Sequence, residues 1–299
     1  VFQKALPLYL QDTVEGYRKS ARLFLKALSL DINNVKILCL LASSYMNLFD
    51  VLTRDENYFG IITKLVELAR AKGLDLTEMV IADVEFYNML GNPDASFNRI
   101  VEFSKARKYG PEMFYYLGLT LFLRGQYSEA LKYLGNIESN QIFSPKVYYL
   151  YGQVFLNSGQ TDNAVKAFKA ALAASPKHIK ARIKLAEISY QKDALSEVAN
   201  HTEFILANSG LASKEEIAKT HYLHARVLAT ANKYEEAVAA LQTALKSDPE
   251  NVDIKLEYYT LRSRVGSQIK DGPGKAKMFH HLALGEKAFK EGRTSEALA

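Results

Sequence analysis

A single cysteine, no long apolar run and no excess of one charge sign bound this chain of 299 residues before any motif is read. One thiol, Cys39, allows no disulfide within the chain, which fits a reducing, cytoplasmic setting. Its neighbours Leu38, Leu40 and Leu41 mark it as a packed, inert thiol and not a nucleophile. No run of apolar residues is long enough to span a bilayer, so no membrane insertion is expected. The net charge is only +5, and Lys and Arg alternate with Asp and Glu. That describes a solvated surface better than a nucleic-acid footprint, and no nucleic-acid partner is expected.

Catalytic signatures are also missing. The stretch DGPGKAK (271–277) lacks the G-x-x-x-x-G-K-[ST] spacing of a phosphate-cradling loop, and neither G-x-S-x-G nor H-E-x-x-H occurs. His221 and His224 share one helix face, but they fall at packing places, so no metal or other cofactor is expected. His280 and His281 are adjacent and point apart on a helix. With 48% hydrophobic and 24% charged residues, the chain has the composition of a folded protein. It is expected to be no enzyme.

What is present is a repeat. PEMFYYLGLTLFLRGQYSEALKYLGNIESNQIFS (111–144) returns as PKVYYLYGQVFLNSGQTDNAVKAFKAALAASP (145–176), a period of 34 residues. Gly118 returns as Gly152, Gly125 as Gly159, Ala130 as Ala164 and Leu134 as Phe168. Such a period belongs to solenoids in which each unit is a helix pair. Small residues at 118, 130, 152 and 164 allow two helices to approach closely, and Gly125 and Gly159 sit where the first helix must stop.

These residues resemble the tetratricopeptide repeat (TPR) family. Phe114, Leu117-Gly118, Ala130 and Leu134 carry the resemblance in one repeat. Tyr148, Tyr151-Gly152, Ala164, Phe168, Ala171 and Pro176 carry it in the next. The fold class implied is an all-α, right-handed α-solenoid of antiparallel helix pairs.

The spacing divides the chain into three parts. Residues 1–76 read as degenerate repeats, with Pro7 allowing a clean first helix only if the helix starts just before it, and an insertion at 50–59 before a helix from Gly60 to Ala71. Residues 77–265 read as the solenoid, clearest at 111–176 and 218–251, with Asp83-Val84 in place of the Leu-Gly pair and a capping box at Ser213/Glu216. Residues 266–299 read as a loop at Asp271-Gly272-Pro273-Gly274 and a cut-short repeat. Leu284 and Phe289 lack cover there, so further repeats or a capping contact beyond Ala299 are expected.

The resemblance implies a concave groove lined by the first helix of each pair, binding an extended or helical segment of a partner protein. By phase, the groove residues are Tyr115, Leu119, Phe122 and Leu123, then Tyr149, Gln153, Leu156 and Asn157, then Ile183, Glu187 and Tyr190, then Tyr222, Arg226 and Thr230. Members of the family that clamp chaperone carboxylate tails place Lys on these helices. Here the matching pairs are Cys39/Ser43, Tyr115/Leu119, Tyr149/Gln153 and Tyr222/Arg226, with no Lys, which argues against that role. The expected function is a protein-interaction scaffold for an apolar or amphipathic segment. The alternatives are a self-associating assembly subunit and a repeat module of a longer protein with a catalytic region elsewhere.

Overall fold

A computed structural model describes residues 1–11, 13–49, 56–72, 76–106, 110–137 and 144–268, with 281, 284 and 287. Among the described residues there are fifteen numbered α-helices and no strand. The chain divides into two compact units, Val1–Ala181 and Arg182–Ala299.

The first unit holds α1 (Phe2–Tyr9), α2 (Val14–Leu28), α3 (Val35–Phe49), α4 (Glu56–Lys72), α5 (Thr77–Met89), α6 (Pro93–Ala106), α7 (Pro111–Leu123), α8 (Tyr127–Leu134), α9 (Ser144–Asn157) and α10 (Thr161–Ala174). The division falls inside α11 (Ile179–Gln191). The second unit continues with α12 (Leu195–Ala207), a 3-10 turn at Ser209–Leu211, α13 (Lys214–Thr230), α14 (Tyr234–Ser247) and α15 (Val252–Gln268). Consecutive helices pack together from α1 to α10 and again from α12 to α15, and in the first unit α3 also packs on α5, and α5 on α7. That is how a solenoid buries apolar faces that a single pair leaves open.

Two boundaries differ from the sequence reading. Helix α1 runs through Pro7 without a break. Residues 56–59 of the expected insertion form the first turn of α4; residues 50–55 lie outside the described residues, as does the loop at 271–274.

From Gly91 to Asp193 the helix stops keep the period. Gly91, Gly125 and Gly159 have φ of 69°, 74° and 78°, and Asp193 and Asn232 adopt the same left-handed backbone at 58° and 61°. In each case the next residue's N–H reaches back to the last turn. Asn92 donates to the Tyr87 carbonyl at 2.9 Å, Gln126 to Leu121 at 2.9 Å, Gln160 to Phe155 at 2.8 Å, Ala194 to Ser189 at 2.9 Å and Lys233 to Leu228 at 2.9 Å. This is the Schellman closure, and it satisfies carbonyls that a helix end leaves bare. The start of α13 is capped as its sequence implies. The Glu216 N–H donates to Ser213 Oγ at 3.0 Å, and the Ser213 N–H donates to Glu216 Oε2 at 2.7 Å.

Close packing explains the glycines at 118 and 152. A Cβ on Gly118 would lie 2.7 Å from Leu134, and one on Gly152 would lie 2.4 Å from the Phe168 ring. Leu134 and Phe168 are fully buried in those spaces. One period earlier the pair α5/α6 is built differently. Asp83, buried in place of the motif's leucine, accepts from Arg70 Nε at 2.7 Å and from Arg99 Nε at 2.9 Å. Ser96 replaces the small alanine and donates to the Val84 carbonyl at 3.1 Å.

Candidate functional site

A cavity of about 110 Å³ opens on the first helices of the first unit. Helix α3 supplies Lys36, Cys39, Leu40 and Ser43, and α5 supplies Glu78, Ile81, Ala82 and Glu85. Both sets follow the spacing of a single helix face. Helix α7 adds Glu112 and Tyr116, and α1 adds Leu6 and Tyr9, with Leu10 just after it. The lining obeys the repeat: Glu78 and Ala82 return 34 residues later as Glu112 and Tyr116.

The floor of the cavity is a buried polar cluster. The Tyr9 and Ser43 hydroxyls are 2.6 Å apart, and the Tyr116 hydroxyl donates to Glu85 Oε1 at 2.8 Å. The other carboxyl oxygen, Glu85 Oε2, is sealed from solvent, and the Ser43 and Tyr9 hydroxyls also act on this carboxyl. Lys146, buried at the start of α9, donates to the Tyr17 hydroxyl at 2.8 Å and lies 4.8 Å from the centre of the Tyr9 ring. At the rim, Lys36 pairs with Glu78 at 3.1 Å.

Burial raises the Glu85 carboxyl above the ordinary carboxylate range, against the opposing pull of the Ser43 and Tyr116 hydroxyls, the Lys146 charge and the Tyr9 hydroxyl. Glu112 is raised by burial too, with Lys36 opposing and Glu78 reinforcing. Burial and the Glu85 charge push both Tyr9 and Tyr116 well above their usual value. Cys39 is pushed up to about 12 by burial and then by Glu78, Glu85 and Asp83, so its thiol stays protonated. A thiol in that state is no nucleophile.

The groove residues named from sequence are placed as follows. Tyr115 and Leu119 continue the register of Ile81 and Glu85 onto α7 and, with Phe122, are half-buried against the core around Leu117 and Leu134. Tyr149 is half-buried, with its ring 5.6 Å from Phe168 and 5.1 Å from His178. Gln153 and Leu156 are half-buried on the same helix. In the second unit, the Arg226 guanidinium lies 4.0 Å from the centre of the Tyr190 ring and 5.4 Å from that of Tyr222. Glu187 pairs with Lys184 at 3.0 Å and with Lys219. His224 Nδ1 lies 3.3 Å from Thr202 Oγ1, and among the described residues no cluster of three or more His, Cys, Asp or Glu could hold a metal. The sequence reading missed Lys36, Glu78, Glu85 and Glu112. Carrying the Cys39/Ser43 pair across the eight extra residues before α5 lands on Ile81 and Glu85, and that was the available signal.

The tetratricopeptide repeat profile matches residues 145–188 and, in a second form, residues 222–258. Both segments are therefore tetratricopeptide repeats. No curated protein sequence matches it. Among solved structures, Cut9 in the APC/C hetero-tetramer Cut9–Hcn1 superposes with a TM-score of 0.74 at 14% identity, over 99% of this chain and 55% of that one. Human IFIT1, solved as a dimer with PPP-AAAA, gives 0.67 at 16% identity over 95% and 67%. PilW, a type IV pilus biogenesis factor, gives 0.56 at 16% identity over 74% and 96%. The chain thus spans about half the length of Cut9 and about two thirds that of IFIT1. At these identities the likeness concerns the fold, a right-handed solenoid of antiparallel TPR helix pairs.

Proposed function

We propose that this TPR chain is a non-catalytic protein-interaction scaffold whose first-helix face receives an apolar or amphipathic segment of a partner protein. The observation that carries the reading is the cavity on α1, α3, α5 and α7, where Leu6, Leu10, Leu40 and Ile81 stand beside a buried polar floor. Apolar surface around a few fixed polar groups is the usual make-up of a recognition site. Tyr115, Leu119, Phe122, Tyr149, Gln153 and Leu156 extend the face along α7 and α9, and Tyr190, Tyr222 and Arg226 are its counterparts in the second unit. Tyr and Arg are frequent anchors at interfaces. Cut9 is solved in a hetero-tetramer with Hcn1, which agrees with a protein partner. IFIT1 is solved with PPP-AAAA, but a polyanion entering this cavity would meet Glu78, Glu85 and Glu112.

The test is site-specific photo-cross-linking. A photoreactive residue at Ile81 or Tyr222 is expected to give a discrete protein adduct. The same residue at Leu25 or Leu68, exposed on the second helices, is expected to give none. Adducts from the second helices alone would refute the reading.

A further inference from the structure

In a solenoid each repeat touches only its neighbours, and the first unit breaks that rule. Helices α3 to α8 separate the pair α1/α2 from the pair α9/α10 in the chain, yet the two pairs meet. Lys146, at the start of α9, donates to the Tyr17 hydroxyl of α2 at 2.8 Å, across 129 residues of sequence. Its ammonium also lies 4.8 Å from the centre of the Tyr9 ring and 5.2 Å from that of Tyr17. The two rings stand edge to face, 5.5 Å apart. All three side chains are buried.

Burying an ammonium costs hydration, and an apolar side chain would fill the same space without that cost. A polar contact differs in one respect. When it parts, the ammonium and the hydroxyl regain their water, so it opens more readily than apolar surface of the same area. This contact borders the cavity: Tyr9 lines it, and the Lys146 charge acts on Glu85 at its floor. A volume of about 110 Å³ admits one side chain, whereas a helix with its side chains is about 10–12 Å across. A partner helix therefore meets a closed wall there unless the coil widens.

We propose that Lys146 is a clasp that holds the coil of the first unit closed around this cavity, and that its release from Tyr17 and Tyr9 widens the first-helix face for a partner segment. The clasp itself is a property of this chain alone. What the opening admits rests on the reading that the partner occupies the first-helix face.

The test uses Cys39, the chain's one thiol, which is buried and lines the cavity. Its rate of alkylation by iodoacetamide in the folded full chain reports opening of the cavity. Lys146→Met keeps the stem and drops the ammonium. It is expected to speed alkylation at least tenfold, with little dependence on urea below the unfolding transition, as a local opening requires. Tyr17→Phe removes only the acceptor hydroxyl. It should speed alkylation at least threefold, and it serves if the methionine variant does not fold. Lys169→Met, on an exposed part of α10, should leave the rate unchanged. An unchanged rate in both clasp variants would overturn the proposal. So would a gain that climbs with urea as steeply as global unfolding does, since Lys146 would then only stabilise the fold. Failure of the clasp with cross-linked adducts still formed at Ile81 would leave the scaffold reading standing. Faster alkylation with no adducts from any first helix would do the reverse.

Discussion

Two helix pairs of the first unit, α9/α10 and α5/α6, reach the same packing by opposite chemistry. In α9/α10 the first helix recedes to Gly152 and the second fills the space with Phe168. In α5/α6 the corresponding residues are Val84 and Ile100, both fully buried, so volume is shared between the helices. Beside them the leucine place holds Asp83, clamped by Arg70 and Arg99. The repeat therefore constrains the summed volume across a pair and leaves the identity of each residue free. A motif that asks for Leu-Gly passes over α5/α6, although its backbone keeps the period.

The comparison can be broken most severely at the filled end. Phe168→Ala is expected to destabilise by about 3–5 kcal/mol, because Gly152 cannot grow to fill the void. Denaturant melts of the variant and of Ile100→Ala would read both costs, and the isoleucine cost should fall at or below the lower end. Next comes Asp83→Ala, expected to cost about 3 kcal/mol because it leaves two arginines facing each other without their carboxylate. The triple change Asp83→Leu, Arg70→Met, Arg99→Leu should restore most of that stability, turning this pair into an ordinary apolar repeat. Gly152→Ala should cost about 1–3 kcal/mol by overpacking against the ring. Adding Phe168→Leu, which copies the neighbouring Gly118/Leu134 pair, should soften the combined loss, and a double-mutant cycle measures that coupling. The smallest effect is expected at a helix stop. Asn232→Gly should raise stability by less than about 1 kcal/mol, since only the residue at positive φ is relieved.

Much of the fold was legible because helix stops and close contacts demand particular residues. Gly125 and Gly159 announced left-handed turns, and the same period locates those at Asp193 and, after the inserted segment, Asn232. Gly118 and Gly152 announced close approaches, and Ser213 with Glu216 announced a cap. Pro7 misled, because one proline in the last turn of an eight-residue helix removes a single hydrogen bond and packing of α1 on α2 holds the rest. The Asp83 clamp was not legible, since Arg70 and Arg99 are brought to it by two other helices. The acidic cavity was hidden for a related reason. Its walls on α3 and α5 are 42 residues apart instead of 34, and its floor joins Tyr9, Glu85 and Tyr116 from three helices.

The central claim is that buried register positions hold the repeats while half-buried first-helix positions hold the partner. The most direct test measures partner affinity and melting temperature side by side for Leu40→Ala/Ile81→Ala and for Phe168→Ala. The account predicts that the double variant melts within a few degrees of the parent and loses more than tenfold in affinity, while Phe168→Ala melts far lower and binds normally at temperatures where it is still folded. A double variant that binds as tightly as the parent would contradict it.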